Sequence, residues 1–364
     1  MPHKIARVMN SENIRLLLRF RRWGLLTVIA TIFLIWVGGW VRSTGSGMGC
    51  PDWPKCFDMW IPPTAEAQLP PNYLEEYVKM RQRKNERVAK MLSGMGMTDL
   101  AEKIKNDPSV NEHEPFNVYK TWTEYINRLI GVLVGFFILL TVFFSIPTRK
   151  IDKRIFRLSL AGFIGVVFEG WLGSIVVSTN LMPALITIHM VIAMLILVVL
   201  IAAVIIAYTR VSNISELLYV KPMSKVWLGL GVSLLILIQI IIGTQVRENI
   251  DVVSKVLGEE LRGEWVLNLD GIYAVHKGFY YFVAAAVMYW IWLLRGMPLF
   301  KDRTVRIYST LLLGILLSEI ALGIGMHRLG IPPVLQPLHL LFGTCLFAAS
   351  FTLTGVLYFK RIKI

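Results

Sequence analysis

Cysteine and histidine are scarce in this chain, three and six among 364 residues. Two of the cysteines, Cys50 and Cys56, share one short segment with no histidine beside them, which argues against a thiolate metal centre there. Acid is short too, 24 Asp and Glu against 38 Lys and Arg. No small-residue cleavage site follows the first apolar run, so that run does not read as a removable signal. Glu12 sets the N-terminal segment apart from a transit peptide. What the chain has in plenty is apolar side chains, at 55% of positions, with a mean hydropathy of +0.58.

Those residues gather into eight runs, near 23–42, 124–146, 156–178, 183–208, 226–246, 272–294, 305–326 and 334–358. Each is long enough to cross a hydrocarbon core about 30 Å thick. The expected class is an all-α integral membrane protein with eight transmembrane helices. An even number of spans puts both ends on one side. Arg15, Arg19, Arg21 and Arg22 precede the first span, and Arg149, Lys150, Lys153, Arg154 and Arg157 follow the second. Arg210, Lys221 and Lys225, then Lys301, Arg303 and Arg306, then Lys360, Arg361 and Lys363 fall on that same side, which is therefore cytoplasmic. The net charge of +14 is this topology signal and does not indicate a nucleic-acid partner. A bacterial inner membrane is the expected location.

The chain divides into a cytoplasmic N-terminus (1–22), a first four-helix half (23–210), a cytoplasmic linker (211–224) and a second four-helix half (225–364). The first half carries a long outer insertion, 43–123. Within it, 73–106 reads as polar helix, a hairpin broken at Gly94 and Gly96, placed to cap the outer face or to bind a partner. Trp40, Trp53, Trp60 and Trp122 fall where an outer aromatic belt would lie.

The halves are copies. Glu169, Leu172-Gly173, Pro183 and His189 recur as Glu319, Leu322-Gly323, Pro333 and His339 at an offset of 150. Asn127-Arg128 matches His276-Lys277 at 149, and Gly38 to Arg42 matches Gly243 to Arg247 at 205. The change of offset measures the insertion, about 56 residues. Such a parallel repeat predicts two four-helix bundles in the same orientation, related by a pseudo-twofold axis along the membrane normal.

Ionisable groups inside spans are costly and mark function. His189 and His339 each lie six residues past a proline, ~9 Å along a helix. His276 lies about one turn into the sixth span. A neutral imidazole from each of two helices at one depth is how a haem iron is gripped, so His276 and His339 are read as a haem pair. In the first half Asn127 stands where a histidine would be, leaving His189 as a single ligand and pointing to an exchangeable occupant. Glu124 shares a face with Asn127, and its counterpart in the second half is Tyr273. It is a candidate catalytic acid or base, or else a simple partner of Arg128. Glu169 and Glu319, kept in both copies, read as structural. Arg42 and Arg247 end spans one and five, where they either snorkel or pair with propionates. His327 has no counterpart and no assigned role; His3 and His113 read as solvated. Cys345 reads as a small buried apolar residue. Cys50 and Cys56, in a proline-bent outer loop, suit a disulfide that is either a staple or a redox-active pair.

Val41-Arg42-Ser43-Thr44-Gly45-Ser46-Gly47-Met48-Gly49-Cys50-Pro51-Asp52-Trp53-Pro54 resembles the first outer loop of the haem A synthases. Glu124-Tyr125-Ile126-Asn127-Arg128 is similar to that family's Glu-Tyr-x-His-Arg helix start, with Asn127 as a departure. The resemblance implies an oxidoreductase that converts the C8 methyl of haem O to a formyl group. Two hydroxylations would give a geminal diol, which loses water. It implies a resident haem b on His276 and His339, and substrate haem O held by His189 in a pocket with Asn127, Arg128 and Arg42. It also implies catalytic Glu124, a functional Cys50–Cys56 pair, and membrane lipid as surroundings. A haem O synthase, an electron-transfer partner and a second copy of the chain are further candidate partners; Arg247 is a propionate candidate.

Two rivals make different demands. A dihaem b-type electron-transfer protein, such as a quinol oxidoreductase, needs two equal histidine pairs, which Asn127 contradicts. A transporter would use mid-span Glu169 and Glu319 and carry no pigment.

Overall fold

The computed structural model describes residues 10–50, 52–94, 96–106, 115–179, 181–211, 219–220, 222–359 and 362–363. His3, His113 and most of the linker lie outside them. Ten helices are present among the described residues: α1 Ser11–Ser43, α2 Tyr73–Gly94, α3 Thr98–Lys105, α4 Val118–Ser145, α5 Lys153–Ser178, α6 Pro183–Val211, α7 Met223–Leu257, α8 Gly271–Arg295, α9 Arg303–Arg328 and α10 Leu335–Phe359. All but α2 and α3 are long and apolar enough to cross a membrane. The protein is a multi-pass membrane protein.

Side-chain caps set several helix starts. Asn10, Asn117, Asp152, Asp270 and Asp302 each accept a backbone N–H from the first turn of the helix that follows, satisfying donors the helix itself leaves open. Asp152 and Asp302 are 150 residues apart, so the repeat extends to the caps. Two helices outrun the expected spans. α1 starts at Ser11 rather than near 23, because the basic stretch 15–22 is good helix former behind the Asn10 cap. α7 runs to Leu257 rather than 246, and its 35 residues are more than the ~20 a span needs.

Helices α1, α4, α5 and α6 pack as a ring through the pairs α1–α4, α4–α5, α5–α6 and α1–α6. Helices α7 to α10 pack as a second ring in the same cyclic order. The rings meet through α1–α10, α6–α7 and α6–α10. The largest apolar cluster lies in the second ring around Trp290, Leu312, Leu316 and Leu353. A smaller one joins Ile138, Leu197 and Leu200. Val132, Ile164 and Phe282 are exposed, as a lipid-facing surface requires. Residues 219–220 pair antiparallel with 362–363, placing the linker beside the C-terminal segment.

The outer insertion forms the expected helical hairpin. α2 ends at Gly94, Gly96 turns the chain with φ of +80°, and α3 packs back on α2. A positive φ suits glycine, which has no Cβ to clash. Val88 of α2 packs against the cluster of Leu172, Ile175, Val176 and Leu185, as do Leu181 and Met182 of the α5–α6 turn. At the other end, Tyr73 and Tyr77 pack on Phe57. The hairpin thus lies across the end of the first ring that carries the loop after α1 and the α5–α6 turn.

Candidate functional site

The outer loop after α1 is fastened to the start of α4. Gly49 approaches so closely that a Cβ there would lie 2.5 Å from the Lys120 carbonyl, so glycine is required. Thr121 Oγ1 donates to the Gly49 carbonyl at 2.9 Å. Cys50 and Cys56 form a disulfide with Cα atoms 4.9 Å apart. Asp52, buried inside this loop, accepts the N–H groups of Phe57 at 2.6 Å and Asp58 at 3.0 Å.

Glu124 and Arg128 complete the fastening. Glu124 is 3% exposed, and its Oε2 accepts the Cys50 N–H at 2.8 Å. Its Oε1 pairs with Arg128. Arg128 also donates to the carbonyls of Asp52 (2.6 Å), Lys55 (3.0 Å) and Cys50 (3.2 Å). The buried Glu124 and the half-buried Arg128 are tolerated because they are paired and hydrogen-bonded at once. Sequence alone shows the i,i+4 spacing; the hold on the disulfide loop is new.

In the second ring His276 and His339 face each other, ring centres 6.3 Å apart and planes inclined by 74°. With ~2.0 Å from an imidazole nitrogen to a transition metal and about 1.1 Å from nitrogen to ring centre, a metal ligated from both sides would set the rings roughly 6.2 Å apart. The observed separation fits. His276 Nδ1 is buried without a hydrogen-bond partner. Among the described residues no three His, Cys, Asp or Glu side chains cluster to hold a metal ion. A metal between these two rings would bring its own equatorial ligands, as a porphyrin does.

Each histidine is backed by a glycine of a neighbouring helix. A Cβ on Gly173 would sit 3.5 Å from His189 Cε1, one on Gly243 3.3 Å from His276 Cε1, and one on Gly323 3.8 Å from His339 Cε1. The mid-span acids are placed on the histidines rather than simply between helices: Glu169 Oε1 is 3.0 Å from His189 Nδ1, and Glu319 pairs with His339 Nδ1. Asn127 Oδ1 is buried with no hydrogen-bond partner.

The family model described as "Cytochrome oxidase assembly protein" (COX15-CtaA) matches residues 21–351. The chain belongs to this family. Among curated relatives, the heme A synthase of Shewanella oneidensis is 23% identical over 337 residues, 84% of this chain and 87% of that protein. The heme A synthase of Agrobacterium fabrum is 29% identical over 180 residues, 48% of this chain and 41% of its own. That of Bartonella quintana is 26% identical over 154 residues, covering 42% and 36%. No solved structure matches.

Two arginines of this family member are brought together where the end of α1 meets α7. Arg42 pairs with Asp251 at 3.1 Å, Arg247 pairs with the same carboxylate at 2.8 Å, and Arg247 donates to the Arg42 carbonyl at 3.1 Å. Arg247 keeps a buried Nε without a hydrogen-bond partner. Asp251 was not singled out in the sequence, although it lies one turn past Arg247. His327, unassigned from sequence, meets Tyr273: the hydroxyl and Nδ1 are 2.9 Å apart. Tyr273 is the counterpart of Glu124, so the two halves use that position for different partners.

Proposed function

We propose that the chain is a haem A synthase: a membrane oxidoreductase that takes haem O and converts its C8 methyl to a formyl group, with haem b held in the second half. The observation that carries this reading is the unequal pair of sites. His276 and His339 are spaced for one iron, while Asn127 faces its half with an unpartnered amide oxygen and leaves His189 alone. A dihaem electron-transfer protein would need a second histidine pair.

In this reading His276 and His339 hold haem b, and Gly243 and Gly323 leave the room their rings need. Haem b supplies an electron relay when bound. His189 holds the substrate's iron on one face. Glu124, at the head of α4, takes a proton from, or steadies positive charge on, the methyl carbon as it is oxidised. Arg128 holds Glu124, and Arg42 and Arg247 receive propionates at the outer surface. The Cys50–Cys56 loop closes the outer side. A bacterial inner membrane with both ends cytoplasmic suits the basic residues. The two rings are read as bundles related by a pseudo-twofold axis. Gly24 against Val204 and Gly229 against Thr354 are copies of one contact, as are Gly39 against Pro337 and Thr244 against Thr187.

The test is extraction of pigment from purified protein, followed by mass analysis. Haem b together with haem O or haem A is expected. Protein that folds and carries no haem would overturn the reading.

A further inference from the structure

The histidines share a backing that the proposed activity does not use. On α5, Glu169 and Gly173 are four residues apart and face His189. On α9, Glu319 and Gly323 have the same spacing and face His339. On α7, Gln239 and Gly243 face His276, but on the other ring nitrogen: the Gln239 amide nitrogen lies 3.4 Å from His276 Nε2 and donates to the His276 carbonyl at 3.0 Å. Positions i and i+4 lie on one helix face. The glycine lets the ring lie against the helix, and the polar side chain one turn earlier meets a ring nitrogen. The fourth copy of this position, at the offset of 205, is Leu34 with Gly38. It belongs to the copy in which Asn127 replaces histidine. The polar group is missing where the imidazole is missing.

We propose that Glu169 and Glu319 are positioning residues that orient His189 and His339 toward haem iron by accepting their Nδ1 protons. This rests on the haem reading above. A neutral imidazole has one donor and one acceptor nitrogen. Giving Nδ1–H to the carboxylate fixes the tautomer and leaves the Nε2 lone pair for metal. Glu169 has no other hydrogen-bond partner among the described residues, and Glu319 is 8% exposed. A carboxylate buried in a membrane span without a partner would be costly. The neighbours also differ within the second half: a carboxylate at His339 Nδ1, and the donor end of a neutral amide beside His276. Negative charge on the His339 side pushes electron density to the iron and favours its oxidised state.

The experiment uses full-length protein purified with its haem, comparing wild type with E319Q and E319L. The readouts are haem content, the low-spin spectrum and an equilibrium reductive titration. E319Q keeps an amide oxygen as acceptor for Nδ1 and removes the charge. It should keep haem and shift the one-electron reduction equilibrium about tenfold toward the reduced form, ~59 mV. E319L reproduces Leu34 and should lose haem occupancy roughly 10–100-fold. If E319L does not fold, the E319Q titration decides. Wild type without haem overturns the haem reading and this proposal together. Wild type with haem, whose E319Q variant titrates at the same potential, overturns this proposal alone.

Discussion

Gly355 of α10 lies against Ile205 of α6 so closely that a Cβ on the glycine would come within 2.6 Å of the isoleucine Cδ1. The two positions are 150 residues apart, so a residue of one copy touches its own counterpart. That is the contact expected beside a twofold axis, and it falls where α6 and α10 join the rings.

The copied close approaches make a stability test. A Cβ on Gly229 would lie 2.4 Å from both Thr354 Oγ1 and Trp290, whereas Gly231 has nothing within 4 Å. Gly229→Ala should lower stability by about 1–3 kcal/mol through overpacking. Gly231→Ala should be neutral or gain up to ~1 kcal/mol from helix propensity. Thermal unfolding in detergent, read side by side, checks the difference.

Replacing His276 or His339 by Ala removes one of two facing imidazoles. Each variant should lose the low-spin b-type reduced-minus-oxidised spectrum. An unchanged spectrum in both would dismiss the assignment.

Glu124→Gln keeps an acceptor for the Cys50 N–H and removes the charge. It should retain haem b while haem A formation stops and haem O or its hydroxylated product accumulates. Glu124→Ala should also release the disulfide loop. It strands a buried Arg128, at a cost of about 3–5 kcal/mol. Haem A made by the Gln variant at wild-type yield would leave Glu124 as a loop fastener only.

Thiol labelling of native protein should spare Cys50 and Cys56 until reductant is added. Prompt labelling of both without reductant would show an open pair.

Asp152 gives a pH test outside the spans. Hydrogen bonds from Arg154, and then from Arg210, hold its carboxyl well below the usual range. A depressed folded pKa stabilises above the unfolded value, about 3.9, and that stabilisation is lost as pH falls through the folded one. Asn caps a helix as well as Asp does, so Asp152→Asn isolates the charge. Its Tm should fall below wild type at neutral pH, and the gap should narrow in acid.

The spans, the copied histidines and the bonded cysteines were legible because hydropathy and repeat spacing are properties of the chain itself. The helix hairpin at 73–106 was legible from its glycines. The hold of Glu124 and Arg128 on loop 50–58 was not, since their partners are backbone groups more than 70 residues away. Asp251 between Arg42 and Arg247 depends on the end of α1 meeting α7 across the seam. Glu169 and Glu319 were visible as a repeated pair, but their placement on ring nitrogens needed coordinates.

The seam has a consequence for descent. Self-matching contacts such as Ile205 with Gly355 are those by which two identical subunits associate. In an assembly of identical subunits, any substitution appears in both pockets at once. Joining the copies on one chain lifts that restriction. Asn127 at the position matching His276, and Glu124 at the position matching Tyr273, are differences that two copies on one chain can hold.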